Sequence, residues 1–193
     1  MSLSPRTVLS RVSGVVFRHL VAGVLAIFAF YLSLVATSVP LTNDDLQAVD
    51  RAIGVLEQRG FERETFLLRH VTTFRASDNW LNGFISDENA YAATNFPFGI
   101  ITIYPDFYSK TQDDTERAMI LLHEAQHLQT SGEADAYAYV WRQRQQLGWT
   151  QLAYGTTPTY VTVELQTREN APDLFSCTVN LWHDCTEPLR ARH

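Results

Sequence analysis

Apolar side chains return at helical intervals in three stretches of the chain. Leu46, Val49, Ile53 and Leu56 follow Thr42 at spacings of three and four until Gly60 ends the pattern. This predicts an amphipathic helix of about four turns, with Thr42 as its cap. Ala118, Met119, Leu121, Leu122, Ala125 and Leu128 recur so densely that the second helix reads as mostly buried. Asp113 or Asp114 caps it, and acidic residues fill its first turn as the macrodipole favours. Ser131-Gly132 breaks the run, and Glu133 opens a third helix through Ala134, Ala136, Tyr137, Val140 and Trp141 to Leu147, stopped by Gly148. So short a break makes the second and third helices neighbours in space.

Other stretches carry a strand pattern. The β-branched and aromatic run at 98–104, closed by Pro105, predicts a strand. Residues 106–110 read as a turn of helix. Residues 61–75 lean towards strand, because Phe66, Val71, Thr72, Thr73 and Phe74 favour a pleated surface. Residues 160–165 alternate like a strand. The segment 77–97, rich in Asn, Asp, Ser and Gly, reads as loop with a short helical turn, anchored by Trp80 and Phe84. Residues 170–193 read as an irregular tail. The pattern defines an α+β class, a short sheet packed on helices.

The N-terminus departs from this picture. Residues 20–39 contain no charged side chain, and about 20 apolar residues suffice to span a bilayer core. Arg6, Arg11 and Arg18 precede the run and Asp44 and Asp45 follow it, which predicts N-terminus inside and domain outside. The expected organisation is a cytoplasmic segment 1–19, a transmembrane signal anchor 20–39 and an extracytoplasmic domain 40–193, periplasmic or outside, on a single-pass cell-membrane protein. A cleavable signal peptide with its site at Ala36-Thr37-Ser38 is the rival, though its apolar region would exceed the usual length. A buried core helix would require a polar face that is lacking.

Composition adds two constraints. With 46% hydrophobic and 19% charged residues in 193, the chain has material for a real core. All three basic residues before position 40 lie in the N-terminal segment, which leaves 12 basic against 21 acidic side chains beyond it, a formal −9. Such a domain repels phosphate backbones, so nucleic acid is not an expected partner. Outside the cytoplasm, Cys177 and Cys185 are expected to form a disulfide. Zinc binding through Cys177, His183 and Cys185 is the alternative, against which the spacing speaks.

The candidate chemistry lies in the second helix, at His123-Glu124-Ala125-Gln126-His127, an HExxH pattern. Residues four apart share a helix face, so both imidazoles can grip one Zn2+ while Glu124 reaches a water beside it. A catalytic zinc needs a third protein ligand. Glu133 and Asp135 stand six and eight residues beyond His127, where the next helix can turn back to the metal. The spacing favours Glu133, and Asp135 stays open. His70 reads as a satisfied or exposed histidine. A His/Glu/His face can arise without a metal, but this one sits in an apolar helix, where unpaired polar groups are costly.

Residues 98–147, a quarter of the chain, resemble the core of the zincin metallopeptidases: an edge strand, a helix with HExxH and a helix carrying a carboxylate. With glutamate as third ligand the chain is similar to the gluzincin branch. The resemblance implies zinc, a bound water, peptide-bond hydrolysis and extended substrate pairing on the strand at 98–104. The His127-to-Glu133 interval is shorter than the spacers common among gluzincins. Gly132 does not match the glycine of HExxHxxGxxH, and no methionine follows Met119 to form a methionine turn.

The expected function is therefore a membrane-anchored zinc metallopeptidase acting on a peptide or protein substrate, with His123, His127 and Glu133 on the metal and Glu124 as general base. Tyr137, Tyr154, Tyr160 and His183 are candidate oxyanion donors. One alternative is a non-catalytic envelope binding protein with a structural or relic metal. Another is a metal-dependent hydrolase of a non-peptide bond, such as a cell-wall amide.

Overall fold

The computed structural model describes residues 5–81, 91–129, 132–178 and 183–186. They form a mixed α+β structure, mostly helical, in two compact units. One takes in Met1–Val39 and Asp78–Ile85, the other Pro40–Ser77 and Ser86–His193.

The first unit is built on helix α1 (Pro5–Ala36). Within it, Val16–Ala36 has a mean hydropathy of 2.2 and is long and apolar enough to cross a membrane, a property shared by anchors and signal sequences. Its side chains from Val16 to Leu32, among them Phe17, Val24 and Phe28, are largely exposed, which sets it apart from a core helix. The helix stops at Ala36, short of the 39 expected. The Thr37 and Ser38 hydroxyls donate back to the carbonyls of Ser33 and Leu34, at 2.8 and 3.1 Å, and satisfy the helix end. Trp80 donates from its indole nitrogen to the Ser33 hydroxyl at 3.2 Å and meets Phe30 edge-on, with ring centroids 5.6 Å apart. Phe84 and the helical turn expected near it fall in 82–90, outside the described residues.

In the second unit, Thr42 accepts from the Asp45 amide and caps α2 (Asn43–Gln58), which buries Val49, Ile53 and Leu56. The strand expected at 61–75 is mostly a helix, α3 (Glu62–His70), with only Thr73–Arg75 extended as β1. Phe61, Thr65 and Leu68 are buried at helical spacing, while the residues that suggested a strand, Phe66 and Val71, are exposed. Glu62 and Glu64 open the helix and Arg69 and His70 close it, as the macrodipole favours.

The segment 77–97 is not all loop: Ala92–Asn95 is strand β2. With β3 (Ile100–Ile103) it makes a three-stranded sheet in the order β1-β3-β2, β1 parallel and β2 antiparallel to β3. Gly99 admits the entry to β3 with a φ of 63°, where a β-carbon would meet the Val71 carbonyl oxygen at 2.6 Å. Because β3 is the middle strand, both of its edges are paired. It cannot receive an extended substrate, contrary to the edge role expected for 98–104. Ala92 pairs with Ile103 and Thr94 with Ile101, so these four share the face that enters the core.

After the short α4 (Asp106–Ser109), Asp113 caps α5 (Asp114–His127) through hydrogen bonds from the Thr115 and Glu116 amides. Helix α5 packs against α2, α3, α6 (Glu133–Leu147) and β2, which explains why nine of its residues are buried. Gly148, at a φ of 83°, ends α6. A short α7 (Gln151–Tyr154) leads to α8 (Pro158–Asn170), which replaces the strand expected at 160–165. Thr157 caps it and Pro158 starts it, and Tyr160, Val163 and Thr167 are buried at helical rather than alternating spacing.

Among the described residues of 170–193, part of the tail is regular. A 3-10 turn (Pro172–Phe175) leads to a disulfide between Cys177 and Cys185, Cα atoms 5.1 Å apart. Both sulfurs are thereby bonded, which removes the alternative of a zinc site with His183. Next to Cys185, the Asp184 carboxylate accepts from Arg144 Nη2 and Trp141 Nε1, each at 2.8 Å, and Arg144 is fully buried.

Candidate metal centre

Two helix ends build the site. His123 and His127, one turn apart near the C-terminus of α5, present their Nε2 atoms 3.1 Å from each other, with rings nearly perpendicular at 78°. Glu133, the first residue of α6, reaches back across the turn. Its Oε2 lies 3.3 Å from His123 Nε2 and its Oε1 3.3 Å from His127 Nε2. Gly132 caps α6 with φ −76° and ψ 171°, a backbone conformation that any residue adopts.

These three side chains could hold a metal ion, since one ligand atom from each lies within 4.8 Å of the others. The 3.1 Å between the two imidazole nitrogens is close to the roughly 3.3–3.4 Å that bonds of about 2.0–2.1 Å to a tetrahedral ion would set, and each oxygen of the Glu133 carboxylate lies 3.3 Å from one of them. Two imidazoles and one carboxylate leave a fourth position open. The histidine side chains are 13% and 17% exposed and the Glu133 side chain 60%, so the group opens to solvent on the α6 side. A hydrogen bond from His123, with the positive potential of both rings, holds the Glu133 carboxyl below its usual range against a partial desolvation that raises it. Asp135, two residues further on, is exposed and lies outside this group.

The 100° steps of an α-helix put Glu124 and Gln126 on opposite flanks of the histidine face. Glu124 is only 5% exposed and turns towards the sheet, where Thr94 of β2 donates to its Oε2 at 2.7 Å. Gln126 turns towards α3, where it donates to Glu64 Oε1 at 3.4 Å beside the Tyr139 hydroxyl at 3.0 Å. Burial, with the Glu64 carboxylate next to it, pushes the Tyr139 hydroxyl up to about 12. A cavity of about 530 Å³ opens on this flank, and none of the three metal-group residues lines it.

Of the four tyrosine and histidine candidates for an oxyanion donor, only Tyr137 adjoins the group: its ring centroid lies 4.5 Å from that of His123. Tyr154 donates to the capping Asp113 at 2.8 Å, at the opposite end of α5. Tyr160 is buried among Trp141 and Trp149, and burial pushes its hydroxyl up to about 12. The His183 Nδ1 faces the Cys177 carbonyl at 3.1 Å. His70 ends α3, exposed, its ring against Phe66. Thr94 escaped the sequence reading, since Ala-Ala-Thr-Asn carries no strand signal and lies 30 residues before Glu124.

No family model, curated protein or solved structure matches the chain.

Proposed function

We propose that the chain is a membrane-anchored, extracytoplasmic zinc metallopeptidase of zincin type, gluzincin-like in its ligand set. The observation that carries this reading is the convergence of His123 Nε2 and His127 Nε2, 3.1 Å apart, on the Glu133 carboxylate, whose two oxygens each lie 3.3 Å from one imidazole, on an HExxH helix. His123, His127 and Glu133 hold the ion. When bound, zinc supplies a Lewis acid and lowers the pKa of a coordinated water. Glu124 accepts the proton of the attacking water on its carboxylate and returns it to the leaving amine. Tyr137, against His123, is the best placed of the tyrosines to donate to the developing oxyanion. The apolar span Val16–Ala36 supports attachment to a membrane, and the disulfide supports a location outside the cytoplasm.

The full chain, purified in detergent, is expected to carry close to one zinc. Glu124→Gln keeps the metal and abolishes cleavage of labelled casein or of a peptide library. His123→Ala loses the metal. A fully folded protein with no affinity for zinc ends this reading.

The burial of Glu124 and its bond to Thr94 favour a second reading, a non-catalytic envelope protein with a structural metal. It predicts that Glu124→Gln is silent in every assay while His123→Ala unfolds the domain. Cleavage of cell-wall amides but not peptides would move the same site to a non-peptide substrate.

A further inference from the structure

We infer that Thr94 is a positioning residue for the general base, its hydroxyl fixing which carboxylate oxygen of Glu124 is left to take a proton. The inference rests on the peptidase reading above. Thr94 pairs with Ile101, and cross-strand partners point to the same face of a sheet. That face is the one Ile101 and Ile103 bury in the core beneath α5. A hydroxyl on an apolar sheet face is costly unless hydrogen-bonded, and valine has the same shape and a higher strand propensity. Packing alone would therefore be served at least as well by a valine at this position. What the hydroxyl adds is one hydrogen bond, 2.7 Å to Glu124 Oε2, with the Glu124 carbonyl oxygen at 3.3 Å as its secondary neighbour.

The consequence for Glu124 follows from its surroundings. Its carboxylate is almost completely buried and, among the described residues, Thr94 is the side chain that donates to it. One oxygen is thus engaged and the carboxylate plane is set from the sheet side, opposite the flank occupied by Gln126. The second oxygen, Oε1, is the one free to receive a proton. A general base whose torsions are held in this way needs no reorganisation as it acts, whereas an unheld carboxylate must first find its orientation. Strand β2 therefore has a role beyond closing the sheet: it carries the brace of the base on α5.

The test uses the full chain in detergent, loaded with zinc, with fluorescein-labelled casein as substrate and the variants Thr94→Val, Thr94→Ser, Glu124→Gln and the double variant Thr94→Val with Glu124→Gln. Thr94→Val should keep the zinc content and the Tm of the parent and lose roughly 10–100-fold in kcat, the range for residues that support an active group, with KM unchanged. Thr94→Ser should restore most of that loss. The double variant should be no slower than Glu124→Gln alone, because Thr94 acts through Glu124. A Thr94→Val protein with parental kcat overturns the inference and leaves the peptidase reading intact. So does a Thr94→Val protein that loses zinc or unfolds, since the hydroxyl is then structural. If zinc-loaded parent and Glu124→Gln cleave equally or not at all, the peptidase reading itself fails and takes this inference with it.

Discussion

Glu133 holds both histidines, one with each carboxylate oxygen, while Asp135 faces solvent two residues away. Chelator competition should separate them. Glu133→Gln is expected to weaken zinc by more than the roughly 10–100-fold seen for residues that only support a ligand, and Asp135→Asn by nothing measurable. The Glu133 carboxyl is depressed by His123, so its contribution in metal-free protein is present above the usual glutamate range and lost only as pH falls through its lowered value. Metal ligands must be deprotonated to bind, so zinc content, followed by metal analysis on acidification, should fall. The spacing along the sequence favoured Glu133 and left Asp135 open. The choice depends on how α6 is rotated against α5, which spacing along the chain does not contain.

The helix that delivers Glu133 is fastened at its other end. Arg144 of α6 is fully buried, and its counter-charge, Asp184, sits beside Cys185 of the disulfide. Removing one partner of a buried pair strands the other charge, so Asp184→Asn should lower stability by about 3 kcal/mol, visible in denaturant unfolding. Reducing the disulfide, or replacing both cysteines by serine, should remove about 2–3 kcal/mol. The two losses should add to less than their sum, because the disulfide acts partly by holding Asp184 in place. The cysteine pair and the helix α6 were both legible in the sequence. The ion pair was not, since Arg144 and Asp184 lie 40 positions apart. At this same scale α3 and α8 were read as strands, because β-branched and aromatic residues were weighed by type. Burial at 61, 65 and 68, and at 160, 163 and 167, decides for helix.

An uncleaved anchor predicts a mature protein whose N-terminus lies before residue 20 and which stays with membranes through alkaline carbonate washing; an N-terminus just after Ala36 or Ser38 would instead identify a signal peptide. The chain's order alone determined the features that are local: the apolar span, the cap at Thr42, the helical periods of α2, α5 and α6, the HExxH face and the cysteine pair. Each rests on residues a few positions apart, where helix geometry and capping act directly. Only the tertiary structure decided the position of β3 in the middle of the sheet, the grouping of Glu133 and not Asp135 with the two histidines, the hydrogen bond from Thr94 to Glu124 and the pairing of Arg144 with Asp184. Those contacts join segments tens of residues apart, and they are set by which faces the core buries together, not by the pattern within any one segment.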